Sequence, residues 1–320
     1  MRDVAEMRGV VADRPPAAAG VAPGPAVQPL LPGQPPLAIL VDYDGTIALT
    51  DVGDTIMKVF VEPAAWEALE TAYETGRIGS REIMAREIAL LPPDPAPVIA
   101  TAHAQPHDAA FPRFVRRARA AGIPVEIVSD GFGFFIEPAM RRLGIADDLA
   151  IVTSRTTFDG GARIEFPNGH PACFVCGTCK RTRVLAHQAA GRAVVFIGDG
   201  ESDRYAAGYA DFVFAKRSLV RICEGYDWPH ARWESFEDLD TWLAGELQAI
   251  AAGRPSVTAG EHAFICGPEI WGPGRMAPPR PFTVPGGETA PLGAAVDPAV
   301  GAAGERGAAG GSRAIGGDGT

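Results

Sequence analysis

The feature that most constrains this chain is a short apolar run, Leu37–Val41, which ends in two carboxylates one residue apart, Asp42 and Asp44. Such a run is typical of a buried parallel strand, and open α/β folds place their ligands at the carboxyl ends of such strands. Because side chains alternate along an extended chain, the two acids point to the same side, where they need a cation or a shared proton. A polar strand end that enters a turn is the alternative interpretation.

A second apolar run, Pro124–Val128, also ends in polar residues, Ser129, Asp130 and Gly131. A hydroxyl and backbone N–H groups at a strand's carboxyl end suit a bound anion. A tight turn that needs glycine is the alternative for this segment.

A third run, Ala193–Ile197, is followed by Asp199 and Asp203, and Lys180 opens the predicted helix before it. A lysine at a helix start opposes the helix dipole, which favours a nearby anion as its partner. A strand end with a helix N-cap, and a solvated lysine, are the alternatives. The three runs together predict a site at one edge of a parallel sheet.

The segment between the first two strands is mainly helical and too long for a simple crossover. Helical spacing covers Ile56–Thr75 and Ser80–Leu91, and further helices are predicted from Asp94 and over Ala109–Ala121. We expect a disordered N-terminal extension over 1–36, a catalytic core over 37–54 and 102–252, a helical cap over 55–101, and a Pro/Gly/Ala-rich, mostly disordered tail over 253–320.

Charge and composition exclude several functions. The formal net charge of −10 argues against a general nucleic-acid binder. No window has the length of a membrane span, and no apolar leader is visible near the start. Five cysteines in a chain of this kind indicate reduced thiols, so we expect a cytoplasmic protein.

The polar motifs, in the order Asp42-x-Asp44-Gly45-Thr46, Ser129, Lys180 and Gly198-Asp199-x-x-x-Asp203, resemble the four signatures of the haloacid dehalogenase (HAD) superfamily. The helical insert resembles that of the subfamily that includes phosphoserine phosphatase. A closer similarity is to the methionine-salvage 2-hydroxy-3-keto-5-methylthiopentenyl-1-phosphate phosphatase family, and it rests on Ile56–Phe60, Trp66-Glu67, Ser80-Arg81-Glu82 and Glu165-Phe166-Pro167. Tyr43 and Ser202 depart from the residues common at their positions, Phe and Asn.

The resemblance implies an α/β fold: a three-layer, Rossmann-like core with a mainly parallel sheet and an inserted helical cap. It also implies hydrolysis of a small phosphorylated metabolite through an aspartyl-phosphate. In that scheme Asp42 is the nucleophile and Asp44 the general acid and base. Mg²⁺ is expected on Asp42, the backbone carbonyl of Asp44, and Asp199, while Asp203 orients the metal shell or Lys180. The phosphate would contact Ser129, the Asp130–Gly131 backbone and Lys180.

Other interpretations stay open. Thr55, Lys58 and Arg81 are candidate substrate contacts in the cap, with ordinary surface charges as the alternative. Zinc ligation is the rival hypothesis for four further residues, His170, Cys173, Cys176 and Cys179. Phosphoserine phosphatase is the second substrate hypothesis. A catalytically idle HAD domain that serves as a binding or scaffold module is the alternative of another class, and phosphonatase chemistry would need Lys58 as a Schiff base.

Overall fold

The computed structural model describes residues 24–75, 77–170 and 175–258. Six strands of this part of the chain form one parallel sheet in the spatial order β3-β2-β1-β6-β7-β8. The strands are β1 (Leu37–Val41), β2 (Val125–Val128), β3 (Ala150–Val152), β6 (Ala193–Gly198), β7 (Phe212–Ala215) and β8 (His230–Arg232). A separate antiparallel hairpin consists of β4 (Arg155–Thr157) and β5 (Arg163–Glu165).

The central strand has a buried core on each of its faces. Leu37, Ile39 and Val41 belong to one hydrophobic cluster, and Ala38 and Leu40 belong to another. This period of two is what an extended strand covered by helices on both faces requires. The first cluster contains α5 (Phe111–Ala120), α6 (Ile136–Arg142) and α10 (Phe236–Ala251), and the second contains α7 (Lys180–Ala189), α8 (Arg204–Ala207) and α9 (Arg217–Tyr226). The expected three-layer α/β architecture is confirmed.

The strand register brings the ends of three strands together. Val41 pairs with Ile127 of β2 and with Ile197 of β6, and both pairings are parallel. The Asp42 N–H continues the ladder by donating to the Ile197 carbonyl at 2.9 Å. Residues that follow these strands therefore meet at one edge of the sheet, although they are far apart in sequence.

Four helices follow the first strand and form the region predicted as a cap. They are α1 (Val52–Phe60), α2 (Pro63–Glu74), α3 (Ser80–Ile88) and α4 (Ala96–His103). The single helix predicted over Ile56–Thr75 is wrong, because Pro63 begins a second helix, where its fixed φ and missing N–H are tolerated. The structure also contains α9 and β8, which the sequence analysis did not predict.

Part of each predicted disordered segment is packed against the core. Leu30 N–H donates to the Ala190 carbonyl at 2.8 Å, and the Ser256 N–H donates to Glu246 at 3.0 Å. For residues 28–36 and 253–258 the structure therefore differs from the prediction, since these backbone groups have partners. The remainder of both segments, 1–23 and 259–320, lies outside the described residues. Among the described helices, none has the length and hydrophobicity that a membrane crossing needs.

Candidate active site

The Lys180 side chain lies between Asp42, which follows β1, and Asp203, which follows β6. Lys180 is the first residue of α7 and is 3% exposed. Its Nζ donates to Asp42 Oδ1 at 2.7 Å and to Asp203 Oδ1 at 2.6 Å, and it lies 3.3 Å from Ser202 Oγ. The unexpected Ser202 thus contacts the lysine directly. A buried ammonium ion held between two carboxylates is fixed in position and remains charged.

Asp203 fixes the loop after β6. Its Oδ2 accepts the N–H of Asp199 at 2.9 Å and the N–H of Gly200 at 3.0 Å, while Oδ1 accepts from Lys180. The side chain is fully buried, at 0% exposed, and its oxygens are occupied by these donors. Asp203 therefore holds both the backbone of Asp199 and the side chain of Lys180 in place.

Burial and crowding shift the ionisation of these groups. Burial and the negative charge of Asp203 raise the pKa of Asp42, and Lys180 opposes the shift. Burial and Asp203 likewise raise the pKa of Asp199 to about 6, although Arg217 opposes them. Burial alone would lower the pKa of Lys180, but the charges of Asp203 and Asp42 outweigh it and raise that pKa. The site holds more negative charge than its lysine neutralises.

This excess of negative charge suits a metal ion. Carboxylate oxygens of Asp42, Asp199 and Asp203 all lie within 4.8 Å of one another. All three residues are buried, and oxygen-only ligation is what hard divalent cations prefer. Asp42 and Asp199 also line the cavity described below, whereas Asp203 does not, so Asp42 and Asp199 are the carboxylates that fit such an ion.

Asp44 is placed to hold a proton. Its Oδ1 accepts the N–H of Val52, at the start of α1, at 2.9 Å. Burial, followed by the charges of Asp51 and Asp42, raises the pKa of Asp44. Gly131 leaves room for the second oxygen, since a Cβ at this position would lie 2.7 Å from Asp44 Oδ2. A protonated carboxyl group at Asp44 can therefore stand beside Asp42, which is the carboxylate that pairs with Lys180.

The loops after β1 and β6 approach each other at a glycine. Gly45 has a φ of +67°, which favours glycine, and a Cβ there would overlap the carboxylate of Asp199. This contact explains physically why a glycine follows the second acid. Its replacement would separate the two loops that carry the metal-binding candidates.

The segment after β2 connects the core to the cap. The Gly131 N–H donates to Ser129 Oγ at 3.1 Å. Asp130 accepts from the Ser80 hydroxyl of α3 at 2.5 Å and from the Thr178 N–H at 2.7 Å. Burial raises the pKa of Asp130, and these hydrogen bonds oppose the shift. The Asp130 side chain thus connects the core to α3 and to the loop before α7.

A cavity of about 310 Å³ lies above this edge. Its lining includes six of the predicted residues: Asp42, Asp44, Ser129, Asp130, Gly131 and Asp199. Residues predicted from the ends of three strands, β1, β2 and β6, thus line one cavity. The volume is in the range of small-molecule sites.

The three predicted cap contacts do not line the cavity. Thr55 donates to a backbone carbonyl one turn earlier at 2.7 Å. Lys58 lies on the exposed side of α1, 3.3 Å from Asp54. Arg81 donates to the Cys176 carbonyl at 3.1 and 3.3 Å. These positions correct the cap prediction: each side chain has a partner elsewhere, and neither cation reaches the cavity.

Residues missed by the sequence analysis occupy the cavity instead. Arg217, the first residue of the unpredicted α9, donates to Asp199 Oδ2 at 2.9 Å. Four cap carboxylates also line the cavity: Asp51, Asp54, Glu70 and Glu87. For Glu87 a signal existed, because it shares a helix face with Ile83 and Met84 at apolar helical spacing.

The zinc hypothesis receives no support from the described residues. The metal-ligating group found there comprises Asp42, Asp199 and Asp203, and includes neither His170 nor a cysteine. Cys179 Sγ accepts from Thr182 Oγ1 at 2.9 Å, and burial raises the pKa of this thiol. Cys173 lies outside the described residues.

Tyr43, the other departure from the expected motif, has a partner of its own. Its hydroxyl lies 2.6 Å from His107 Nε2, and its ring is buried. Burial and the charge of Asp44 raise the pKa of the Tyr43 hydroxyl. The hydroxyl group that phenylalanine would lack is thus hydrogen-bonded to a histidine.

Comparisons with known proteins agree with this geometry. The family model for haloacid dehalogenase-like hydrolases matches residues 39–208. The 2-hydroxy-3-keto-5-methylthiopentenyl-1-phosphate phosphatase of Geobacillus thermodenitrificans (strain NG80-2) is 31% identical over 226 residues, covering 67% of this chain and 98% of that protein. The phosphatase of the same name from Geobacillus kaustophilus (strain HTA426) is 32% identical over 211 residues, covering 63% of this chain and 93% of that protein.

Solved structures share the fold at lower identity. The probable phosphoserine phosphatase from Vibrio cholerae superposes with a TM-score of 0.51 at 18% identity. The alignment covers 70% of this chain and 68% of that chain. At this identity the similarity shows a common architecture and nothing about the substrate.

Proposed function

The chain belongs to the haloacid dehalogenase-like hydrolase family, and from that premise we propose that it hydrolyses small phosphomonoesters through a phosphoryl group carried on Asp42. The observation that carries the proposal is the position of Lys180, whose Nζ lies 2.7 Å from Asp42 at the edge where three strand ends meet. A buried lysine beside a buried carboxylate suits the transfer of a dianionic group, because its charge acts in a medium with little water.

The reaction would proceed in two steps. In the first, a carboxylate oxygen of Asp42 attacks phosphorus, the bond from phosphorus to the ester oxygen breaks, and protonated Asp44 gives its proton to the departing alkoxide. In the second, Asp44 takes a proton from water as the water oxygen attacks phosphorus, which releases phosphate and frees Asp42. The raised pKa of Asp44 supports its proton-donor role.

The residues also fit a magnesium ion. Asp42, Asp199 and the backbone carbonyl of Asp44 are the groups we propose as its protein ligands, and the closeness of the carboxylates supports this assignment. When bound, Mg²⁺ would supply positive charge that polarises a phosphoryl oxygen. Asp203 would hold the Asp199 loop in place by its two N–H contacts.

Phosphate oxygens would be held from the β2 side. Ser129, Asp130 and Gly131 line the cavity, and Lys180 approaches Asp42 from α7. In this scheme Lys180 contacts both the nucleophile and the transferring group. The named relatives act on a small phosphorylated metabolite, which supports a substrate of that size. Sequence similarity alone places the methionine-salvage ester first among named candidates, with phosphoserine second.

Hydrolysis of an aryl phosphate tests the reaction class. We expect Mg²⁺-dependent release of the phenol, abolished by excess EDTA and restored by added Mg²⁺. The Asp42→Asn variant should lose at least a thousandfold in kcat, since its amide is a poor nucleophile. Asp147→Asn, an exposed change outside the cavity, is the matched control. An active Asp42→Asn variant would contradict the assigned nucleophile, and inactivity of the wild-type protein would favour the scaffold alternative.

A further inference from the structure

The cap side of the cavity is lined by acidic residues. Asp51 and Asp54 stand at the start of α1, Glu70 on α2 and Glu87 on α3, and all four line the cavity. These carboxylates come from three helices or their caps, and none belongs to the strand-end motifs that carry the catalytic candidates. The proposed reaction gives none of them a role.

Glu87 is the most informative of the four. It is 8% exposed, and its carboxylate forms no hydrogen bond or ion pair with any described residue. It occupies the cavity-lining face of α3 together with Ser80, Ile83 and Met84. An unpaired carboxylate in such a place is strongly unfavourable unless a cationic partner arrives or the group holds a proton.

Few positive charges lie near these cap acids in the cavity. Arg217 is the one cationic side chain among the described lining residues, and it pairs with Asp199 on the core side. Lys58 reaches Asp54 from the exposed side of α1, 3.3 Å away, and does not line the cavity. Consistently, burial and neighbouring carboxylates raise the pKa of Glu70 to about 7 and that of Glu87 to about 8.

The arrangement suits an organic cation better than a metal ion. Within the described residues, the acids close enough to share one metal ion are Asp42, Asp199 and Asp203, and no cap acid belongs to that group. The cap acids are interleaved with an aromatic ring and two apolar side chains, Tyr73, Ile83 and Met84. Carboxylates spread around apolar and aromatic surface match an alkylammonium group, which is larger and less hydrated than Mg²⁺.

We propose that the cap half of the cavity binds an ammonium group on the alcohol part of the substrate, so that phosphate esters of amino alcohols without a carboxylate are preferred. This inference rests on the proposed phosphatase function and names its substrate class. Glu87 and Glu70 are the specificity-determining residues, because they line the cavity on the cap side and form no ion pair with a described cation.

The proposal separates this chain from both named substrates. The ester in the relatives' name carries hydroxyl, keto and methylthio groups and no cation. Phosphoserine carries an ammonium group together with a carboxylate. Four acids around the alcohol part of phosphoserine would repel its carboxylate. Among the described cap residues that line the cavity, none carries a positive charge that could offset this repulsion.

Competitive inhibition of aryl phosphate hydrolysis is the test, because it reports binding whether or not the inhibitor is turned over. The probes are 2-aminoethyl phosphate, its isostere propyl phosphate, in which a methyl group replaces the ammonium group, and phosphoserine. At pH 8 we expect 2-aminoethyl phosphate to inhibit at least tenfold more tightly than propyl phosphate, and more tightly than phosphoserine. In Glu87→Gln and Glu70→Gln this ratio should fall towards one, mainly by weaker binding of the aminoethyl ester.

Glu82→Gln is the matched control, since Glu82 lies on the same helix, pairs with Arg86 and does not line the cavity. Equal inhibition by 2-aminoethyl phosphate and propyl phosphate, or tighter binding of phosphoserine, would overturn the inference while aryl phosphate hydrolysis still upheld the phosphatase. A second result would also overturn the inference: Mg²⁺ raises the Tm of the wild-type protein but not of Glu87→Gln, and the protein shows no preference between the esters. This result would assign the cap acids to a metal ion. Absence of any hydrolysis would instead contradict the proposed function.

Discussion

Replacing Glu87 with glutamine should change how the stability of the protein depends on pH. In the folded protein, burial and the charges of Glu70, Asp54 and Asp51 raise the pKa of Glu87 from 4.5 to about 8. Between these values the folded state keeps a proton that the unfolded state has lost. The stabilisation that protonated Glu87 contributes is therefore complete below about pH 4.5 and is lost as the pH rises through about 8.

The magnitude follows from the two pKa values. Titration of a single group with these values lowers the free energy of unfolding by roughly 3 kcal/mol between about pH 5.5 and about pH 9. For a folded unit of this size, 1 kcal/mol corresponds to about 2–4 °C in Tm, so Glu87 contributes roughly 6–12 °C to the decline. A glutamine at this position cannot ionise, and it resembles the protonated glutamic acid in size and polarity.

Differential scanning calorimetry of wild-type protein, Glu87→Gln and the control Glu82→Gln, at constant ionic strength, measures the effect. We expect wild type and Glu87→Gln to have similar Tm values near pH 5.5 and to diverge as the pH rises, with the variant more stable at pH 9. Glu82→Gln should follow wild type throughout, because Glu82 is paired on the surface. Parallel curves for wild type and Glu87→Gln would refute the claim that this carboxylate is buried without a partner.

Two further substitutions and a metal analysis test other parts of the structure. Lys180→Met should reduce kcat at least a thousandfold and lower stability by about 3–5 kcal/mol at pH 8, measured by steady-state kinetics and calorimetry, because Asp42 and Asp203 lose their shared cation. Asp108→Ala should cost about 2–4 kcal/mol by urea denaturation with kcat little changed, since the buried carboxylate accepts the N–H groups of Ala110 and Phe236 at 2.9 Å each. Metal analysis of protein purified without added zinc should find no stoichiometric zinc; its presence would revive the cysteine hypothesis.

The strand-end residues could be predicted from sequence because parallel register converts sequence pattern into position. Once Leu37–Val41 is central and parallel to its neighbours, Asp42, Ser129 and Asp199 must meet at one edge. The last helix has a local start signal in the sequence: Ser235 precedes Asp238 by three residues, and in the structure the Ser235 side chain caps α10.

The cap was harder to predict because its side chains depend on tertiary packing. Helical spacing alone does not decide which face of α2 or α3 points at the catalytic edge, so Lys58 and Arg81 were plausible and Glu70 and Glu87 were missed. Arg217 was missed with its helix, whose buried Leu219 and Cys223 nevertheless occupy helical spacing. The short edge strand β8, His230–Arg232, has too little apolar pattern to predict a strand.

Trapping of the phosphoryl group tests the central claim most directly. Protein mixed with an aryl phosphate and Mg²⁺ is quenched in acid during turnover, reduced with borohydride, digested and analysed by mass spectrometry. The account predicts that reduction converts Asp42, and no other acid, to homoserine in the turnover sample and not in a sample without substrate. Turnover with Asp42 unmodified, or modification of a different residue, would contradict it.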